Sequence, residues 1–128
     1  GERLELDLEM APRRLYAHPD VRMAAGKVAL QRGPIVYCFE GVDNDVTPLS
    51  RVGLSTQAVI GARHEPELLG GVTVLEMEGS VLDDDDWHGT LYRPEAPRES
   101  RVQLRAIPYY AWDNRAAGQM AVWLRELD

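Results

Sequence analysis

The sequence predicts an all-β domain, an antiparallel β-sandwich of six to eight strands with a jelly-roll-like or immunoglobulin-like arrangement. Two observations predict it. Short apolar runs with alternating or β-branched residues recur along the chain, and glycine, proline and aspartate turn signals separate them. In addition, no long window carries the 3.6-residue apolar period of an amphipathic helix.

Each predicted strand follows from its local pattern. Leu4, Leu6 and Leu8 alternate with charged residues, so residues 3–9 predict a strand with one face in water. Both faces are apolar at the start of residues 35–40, which is typical of a central strand. Further strands are predicted at residues 27–31, 57–60, 72–77, 101–107 and 120–124, with a tight bend or bulge at Gly33-Pro34.

The chain is predicted to divide into two parts, a strand and linker over residues 1–22 and a C-terminal β-sandwich domain over residues 23–128. Pro12 ends the pairing of the first strand, because proline has no N–H to donate to a ladder. We therefore expect residues 1–22 to associate with a preceding β domain. A strand edge without partners also makes a homodimer a candidate assembly.

Charge and composition exclude several classes of partner. The chain has 21 acidic and 14 basic residues and a net charge of −7, whereas binding to nucleic acid or anionic membranes requires a basic surface. No apolar run approaches the roughly 18 residues of a membrane-spanning helix. The pattern of a secretory signal is absent, which leaves the compartment open with the cytoplasm favoured.

The sequence predicts no metal site. Cys38 is the single cysteine, which excludes an internal disulfide and a cysteine-based zinc cluster, and we expect it to pack in a buried strand. The acidic residues 83–86 do not begin an EF-hand loop, because His88 and Pro94 occupy its sixth and twelfth positions. A solvated turn is the simpler interpretation of this run, and a looser calcium site is the alternative.

No catalytic residue can be assigned, because the sequence has no nucleophile elbow or phosphate loop, and 21 carboxylates do not single out a catalytic pair. Exposed aromatic rings can instead stack on sugar faces. The alternative is that these rings fill the core, which is predicted for Trp123 because it shares a strand face with Ala121. The candidate sugar-binding residues are Trp87, Tyr92, Tyr109, Tyr110 and Trp112.

Four segments carry a resemblance to a known family: VALQRGPIVYC at 28–38, GGVTVL at 70–75, AIPYYAW at 106–112 and MAVWLR at 120–125. In this order and spacing they resemble the C-terminal β-rich region of glycoside hydrolase family 127, the bacterial β-L-arabinofuranosidase family. The chain departs from the family pattern at Asp113, where relatives tend to carry a small residue, and at residues 116–119.

The resemblance implies a multi-domain parent enzyme, with a helical barrel followed by β-sandwich domains. In that family, catalysis is linked to a zinc-bound cysteine and glutamates of the barrel, whose motifs do not occur here, and Cys38 belongs to a sandwich motif instead. The implied function is a non-catalytic domain without a cofactor that supports the barrel, subunit contacts or the substrate cleft. A carbohydrate-binding module or a protein-interaction module with an exposed apolar patch remains an alternative.

Overall fold

The computed structural model describes residues 11–44, 48–83, 87, 89–113, 115 and 118–127. The strand predicted at residues 3–9 and the acidic residues 84–86 lie outside the described residues. The described part contains nine strands: β1 Pro12–Leu15, β2 Lys27–Arg32, β3 Ile35–Glu40, β4 Val52–Ser55, β5 Gly61–Glu65, β6 Val72–Leu82, β7 Glu99–Pro108, β8 Met120–Ala121 and β9 Leu124–Leu127. It also contains one helical turn, α1 Gly41–Asn44, and 3₁₀ turns at Arg22–Ala24, Leu49–Arg51 and Tyr109–Ala111.

Six strands close into a barrel in the order β2, β9, β4, β6, β7 and β3, and β3 pairs with β2 again. The neighbours are antiparallel except for β4 and β9, which run parallel with Gly53 opposite Arg125. The remaining strands extend the wall, because β1 pairs with β2, β5 with β6 and β8 with β3. Closure leaves few unpaired strand edges among the described residues.

The predicted all-β class is confirmed, but the sheet closes on itself instead of forming an antiparallel sandwich of two sheets. Two pairings close it. The Gly33-Pro34 turn joins β2 to β3 with Arg32 opposite Ile35, and β2 also pairs with β9 through Lys27 and Val28. Apolar alternation is the same on the wall of a barrel and on the inner face of a sandwich, so the sequence pattern does not distinguish them.

Two predicted strands differ from the structure. The prediction at residues 57–60 is wrong, because the amides of Gln57 and Ala58 donate to the side chain and the carbonyl of Ser55 and form a turn between β4 and β5. Residues 120–124 form two strands, because the chain leaves β3 after β8 and joins β2 and β4 in β9. Trp123 lies in this break and is only partly buried, so its predicted core position is wrong.

The wall separates two groups of buried apolar side chains. The inner cluster lies in the barrel and includes Tyr37, Phe39, Leu75 and Leu104. Side chains alternate across a strand, so the residues between these face outward. The outer cluster consists of four such strand residues, Cys38, Val72, Val74 and Ile107, together with Ala111 of the 3₁₀ turn.

The first described strand is held against the barrel by its pairing and by one side chain. Pro12 lies opposite Arg32 and Leu15 opposite Ala29. The Arg14 guanidinium donates to the carbonyl of Ser55 at 2.8 Å and to that of Ala58 at 3.0 Å. The division of the chain at residue 22 stays a prediction.

Candidate functional site

Three of the predicted site residues lie together on one turn at the end of β7. After Pro108 the chain enters the 3₁₀ turn, and the amide of Trp112 donates to the carbonyl of Tyr109 at 3.1 Å. Ala111 is buried in the outer cluster, whereas Tyr109, Tyr110 and Trp112 are 46, 68 and 40% exposed. The rings of Tyr109 and Trp112 stack, with centroids 6.1 Å apart and planes at 27°. These three aromatic residues form the aromatic corner.

A buried group of charged side chains follows the corner in sequence and joins it to β3 and α1. Both guanidinium Nη atoms of Arg115 donate to the Asp43 carboxylate, at 2.7 and 2.6 Å, and Nη2 also lies 3.4 Å from Glu40 Oε1. The side chains of Glu40 and Asp43 are each only 4% exposed. The hydrogen bond to Asp43 raises the pKa of Arg115. Glu40, Asp43 and Arg115 form the ion cluster.

Asn44 attaches α1 to the barrel wall. Its side-chain amide donates to the carbonyl of Glu40 at 2.7 Å and to that of Arg105 at 3.1 Å. Its Oδ1 accepts from the amide of Arg105 at 2.7 Å. The buried side chain therefore uses both its donors and its acceptor, which favours one fixed position of α1 on β7.

Gln119 connects the segment after the corner to the same region. Its carbonyl accepts from the amide of Gly41 at 2.9 Å, and its Oε1 accepts from the amide of Leu49 at 2.7 Å. Arg115 and Gln119 thus both bind α1, Arg115 through the Asp43 side chain and Gln119 through the backbone of Gly41. The aromatic corner consequently continues into a segment with several fixed attachments.

Cys38 is buried in the outer cluster, which confirms its predicted packing role. The pKa of its thiol is raised to about 12, mainly by burial and also by the nearby carboxylates of Glu40 and Asp43, against an opposing effect of Arg115. A thiol nucleophile or metal ligand acts as the thiolate. The environment of Cys38 therefore disfavours both kinds of chemistry.

The other two predicted site residues lie at the opposite end of β7, on the connection from β6. Trp87 is partly buried, and the Arg93 guanidinium lies 4.1 Å from its ring centroid in a cation–π contact. Tyr92 is 89% exposed. Because the ten residues of β7 span roughly 30 Å, the five aromatic residues do not form one surface. Sugar binding by either group stays a prediction.

Sequence reasoning missed the ion cluster and Asn44. One signal was available, because an acidic residue, Glu40, ends a strand that is otherwise apolar and Asp43 follows three positions later. Buried charges need partners, so this pattern indicates a cation from elsewhere in the fold. The cation, Arg115, is 72 positions from Asp43.

Two structural findings concern metals and membranes. Among the residues that the structure describes, no group of three or more His, Cys, Asp or Glu side chains could hold a metal ion. In the same part of the chain, no helix has both the length and the apolar character to span a bilayer. The candidate calcium site near Asp83 depends on residues 84–86, which lie outside this part.

Comparison with known protein families assigns the closed β wall and its four motif segments to a domain of a glycoside hydrolase, and it also identifies the family. The sequence-family model that describes the C-terminal domain of glycoside hydrolase family 127 matches residues 12–125, so the chain belongs to this family. It is 37% identical over 131 residues to a non-reducing end β-L-arabinofuranosidase of Bifidobacterium longum, covering 98% of this chain and 20% of that enzyme.

Solved structures agree with this assignment. A family 127 β-L-arabinofuranosidase from Geobacillus stearothermophilus T6 superposes with a TM-score of 0.88 and 51% identity, covering 92% of this chain and 18% of the other. A second family 127 β-arabinofuranosidase gives a TM-score of 0.80 and 36% identity, with 91 and 17% covered. The chain thus spans about a fifth of the length of these relatives.

Proposed function

We propose that this chain is the non-catalytic C-terminal domain of a multi-domain glycoside hydrolase that acts on β-L-arabinofuranosides, where it supports the catalytic region. One observation carries the proposal: residues 12–125 match the family 127 C-terminal domain, whereas the chain corresponds to about a fifth of its relatives. The relatives named as β-L-arabinofuranosidases support the substrate class.

The chemistry of the described residues also favours a non-catalytic role for this domain. The barrel interior is filled by apolar side chains, and the Cys38 thiol is buried with a raised pKa. The described residues offer no donor set that fits the zinc implied by the family. The proposal therefore assigns any zinc to the parent's catalytic region and gives this domain no proton or group to transfer.

A hydrolysis assay tests this proposal. The 128-residue chain and the full-length enzyme are given the same β-L-arabinofuranoside, and we expect release of arabinose by the full-length enzyme alone. In the full-length enzyme, Cys38→Ala should leave kcat unchanged, because Cys38 contacts no substrate in the proposed arrangement. Turnover by the isolated chain, or loss of kcat in a folded Cys38→Ala enzyme, would contradict the proposal.

A further inference from the structure

The aromatic corner exposes more aromatic surface than the barrel requires. Only Ala111 of this turn is buried in the outer cluster, while Tyr109, Tyr110 and Trp112 present their rings to the outside. Tyrosine and tryptophan are enriched at protein interfaces, where they supply large contact areas at a low cost in side-chain entropy. Three such residues within four positions are typical of a contact surface.

The corner is also held in position. Tyr109 and Trp112 stack on each other, and Arg115 binds both Asp43 and Glu40 three residues after Trp112. Gln119 binds the backbone of α1. A surface that is ordered before binding loses less conformational entropy when its partner arrives. The arrangement therefore favours a permanent contact over an adaptable one.

The charges near the corner favour a cationic partner. The ion cluster has two carboxyl groups for one guanidinium, and the exposed Asp113 follows Trp112 directly. The exposed Asp113 carboxylate therefore provides an acceptor next in sequence to the rings, whose faces are also negative. An arginine or lysine side chain matches both features, because it can stack on a ring and approach the Asp113 carboxylate.

The contacts within the ion cluster disfavour a sugar-binding site at the aromatic corner. Sugar hydroxyls need polar groups that converge beside the stacking ring. The Asp43 carboxylate and the Nη atoms of Arg115 already bind each other, and the side chains of Asp43 and Glu40 are nearly inaccessible. Meanwhile the relatives are about five times longer than this chain, so the parent enzyme offers a large protein surface.

We infer that the aromatic corner is the surface on which the remaining part of the parent enzyme docks, through an arginine or lysine side chain placed on Tyr109 or Trp112. This inference rests on the proposed function and specifies which face of the domain provides the support. The exposed Tyr92 at the other end of β7 lies outside the docked surface and provides an internal reference.

Hydroxyl-radical labelling followed by mass spectrometry tests the location of the contact. We expect Tyr109 and Trp112 to be labelled in the isolated chain and protected in the full-length enzyme, while Tyr92 is labelled equally in both. Equal labelling of the corner in the two forms would overturn the inference, as would protection in the isolated chain by arabino-oligosaccharides or by self-association. Protection of Tyr92 instead of the corner would also overturn it, yet leave the proposed function intact.

Substitutions then separate docking from local stability. Trp112→Ala removes the ring stack in both forms, but removes the docking contact only in the full-length enzyme. Measured by urea denaturation, the equilibrium constant for unfolding of this domain should rise roughly tenfold more in the full-length enzyme than in the isolated chain. The control Tyr92→Ala should change that constant equally in both forms. An equal rise for Trp112→Ala in the two forms would show a merely structural role and overturn the inference.

Asp113→Asn tests the cationic character of the partner. Asp113 has a φ of 65°, a conformation that asparagine also tolerates, so the substitution removes the charge without a new backbone cost. We expect the Tm of the full-length enzyme to fall by roughly 1–3 °C while the isolated chain changes little. An unchanged or higher Tm in the full-length enzyme would overturn the proposed contact with a cationic side chain.

Discussion

The two faces of the barrel wall are stabilised by different chemistry. The inner cluster is apolar, with Tyr37, Phe39 and Leu104 packed in the barrel interior. On the outer face, β3 continues from the buried Cys38 to Glu40, whose carboxylate depends on Arg115 from a distant segment. The inner face therefore depends on volume and shape, whereas the outer face depends on the pairing of buried charges.

This difference predicts different sensitivities to substitution. On the inner face, loss or gain of a methyl group changes the packing. The resulting loss in the free energy of unfolding depends on how far neighbouring side chains can move. On the outer face, removal of one member of a buried ion pair leaves the other charge without compensation. The loss of stability is then larger than the net contribution of the intact pair. Changes of single residues on each face can separate the two kinds of stabilisation.

The largest effect is expected for Arg115→Ala. It leaves the nearly inaccessible carboxylates of Asp43 and Glu40 without their cation, so the free energy of unfolding should fall by about 3–5 kcal/mol. Arg101→Ala is the matched control, because Arg101 is exposed and lies 3.7 Å from Glu78, a surface pair that contributes at most about 1 kcal/mol. Urea denaturation measures both, and similar losses in the two variants would show that the ion cluster adds little.

A smaller effect is expected on the inner face for Gly79→Ala. A Cβ atom at Gly79 would lie 2.2 Å from Leu104 Cδ1 and 3.0 Å from the carbonyl oxygen of Gly53. Leu104 is buried, so relief requires repacking, and we expect a loss of about 1–3 kcal/mol. In the control Gly61→Ala the nearest atom lies at 3.7 Å, so stability should stay equal or rise. A neutral Gly79→Ala would mean that the barrel interior adapts freely.

The same comparison explains how much of the fold was predictable. Strands β2, β3, β6 and β7 follow from apolar patterns within single segments, and the structure confirms strands over these patterns. Closure of the sheet depends on the pairing of β9 with both β2 and β4, which joins residues far apart in sequence. No local pattern specifies that pairing, so a sandwich and a barrel were equally compatible with the alternation.

The candidate site was predictable only in part. The aromatic residues were visible in the sequence, but their division between the two ends of β7 required the topology. The ion cluster was missed because its members come from β3, α1 and the segment after the corner. Glu40 at the end of an apolar strand indicated a buried charge, while the identity of its partner depended on the tertiary structure.

The smallest effect concerns the pH dependence that the outer face gives to stability. The native pKa of Cys38 is about 12, against an ordinary value of 9.0, so above pH 9 the unfolded chain releases a proton that the native chain retains. Stability is therefore complete below pH 9 and falls as the pH rises towards 12, by roughly 1 kcal/mol at pH 10. Cys38→Ala removes this contribution, so its deficit relative to the wild type should be constant up to pH 8 and shrink above pH 9. Parallel stability curves up to pH 11, measured by urea denaturation, would show that the thiol ionises alike in both states and that the outer face is more open to water than its burial indicates.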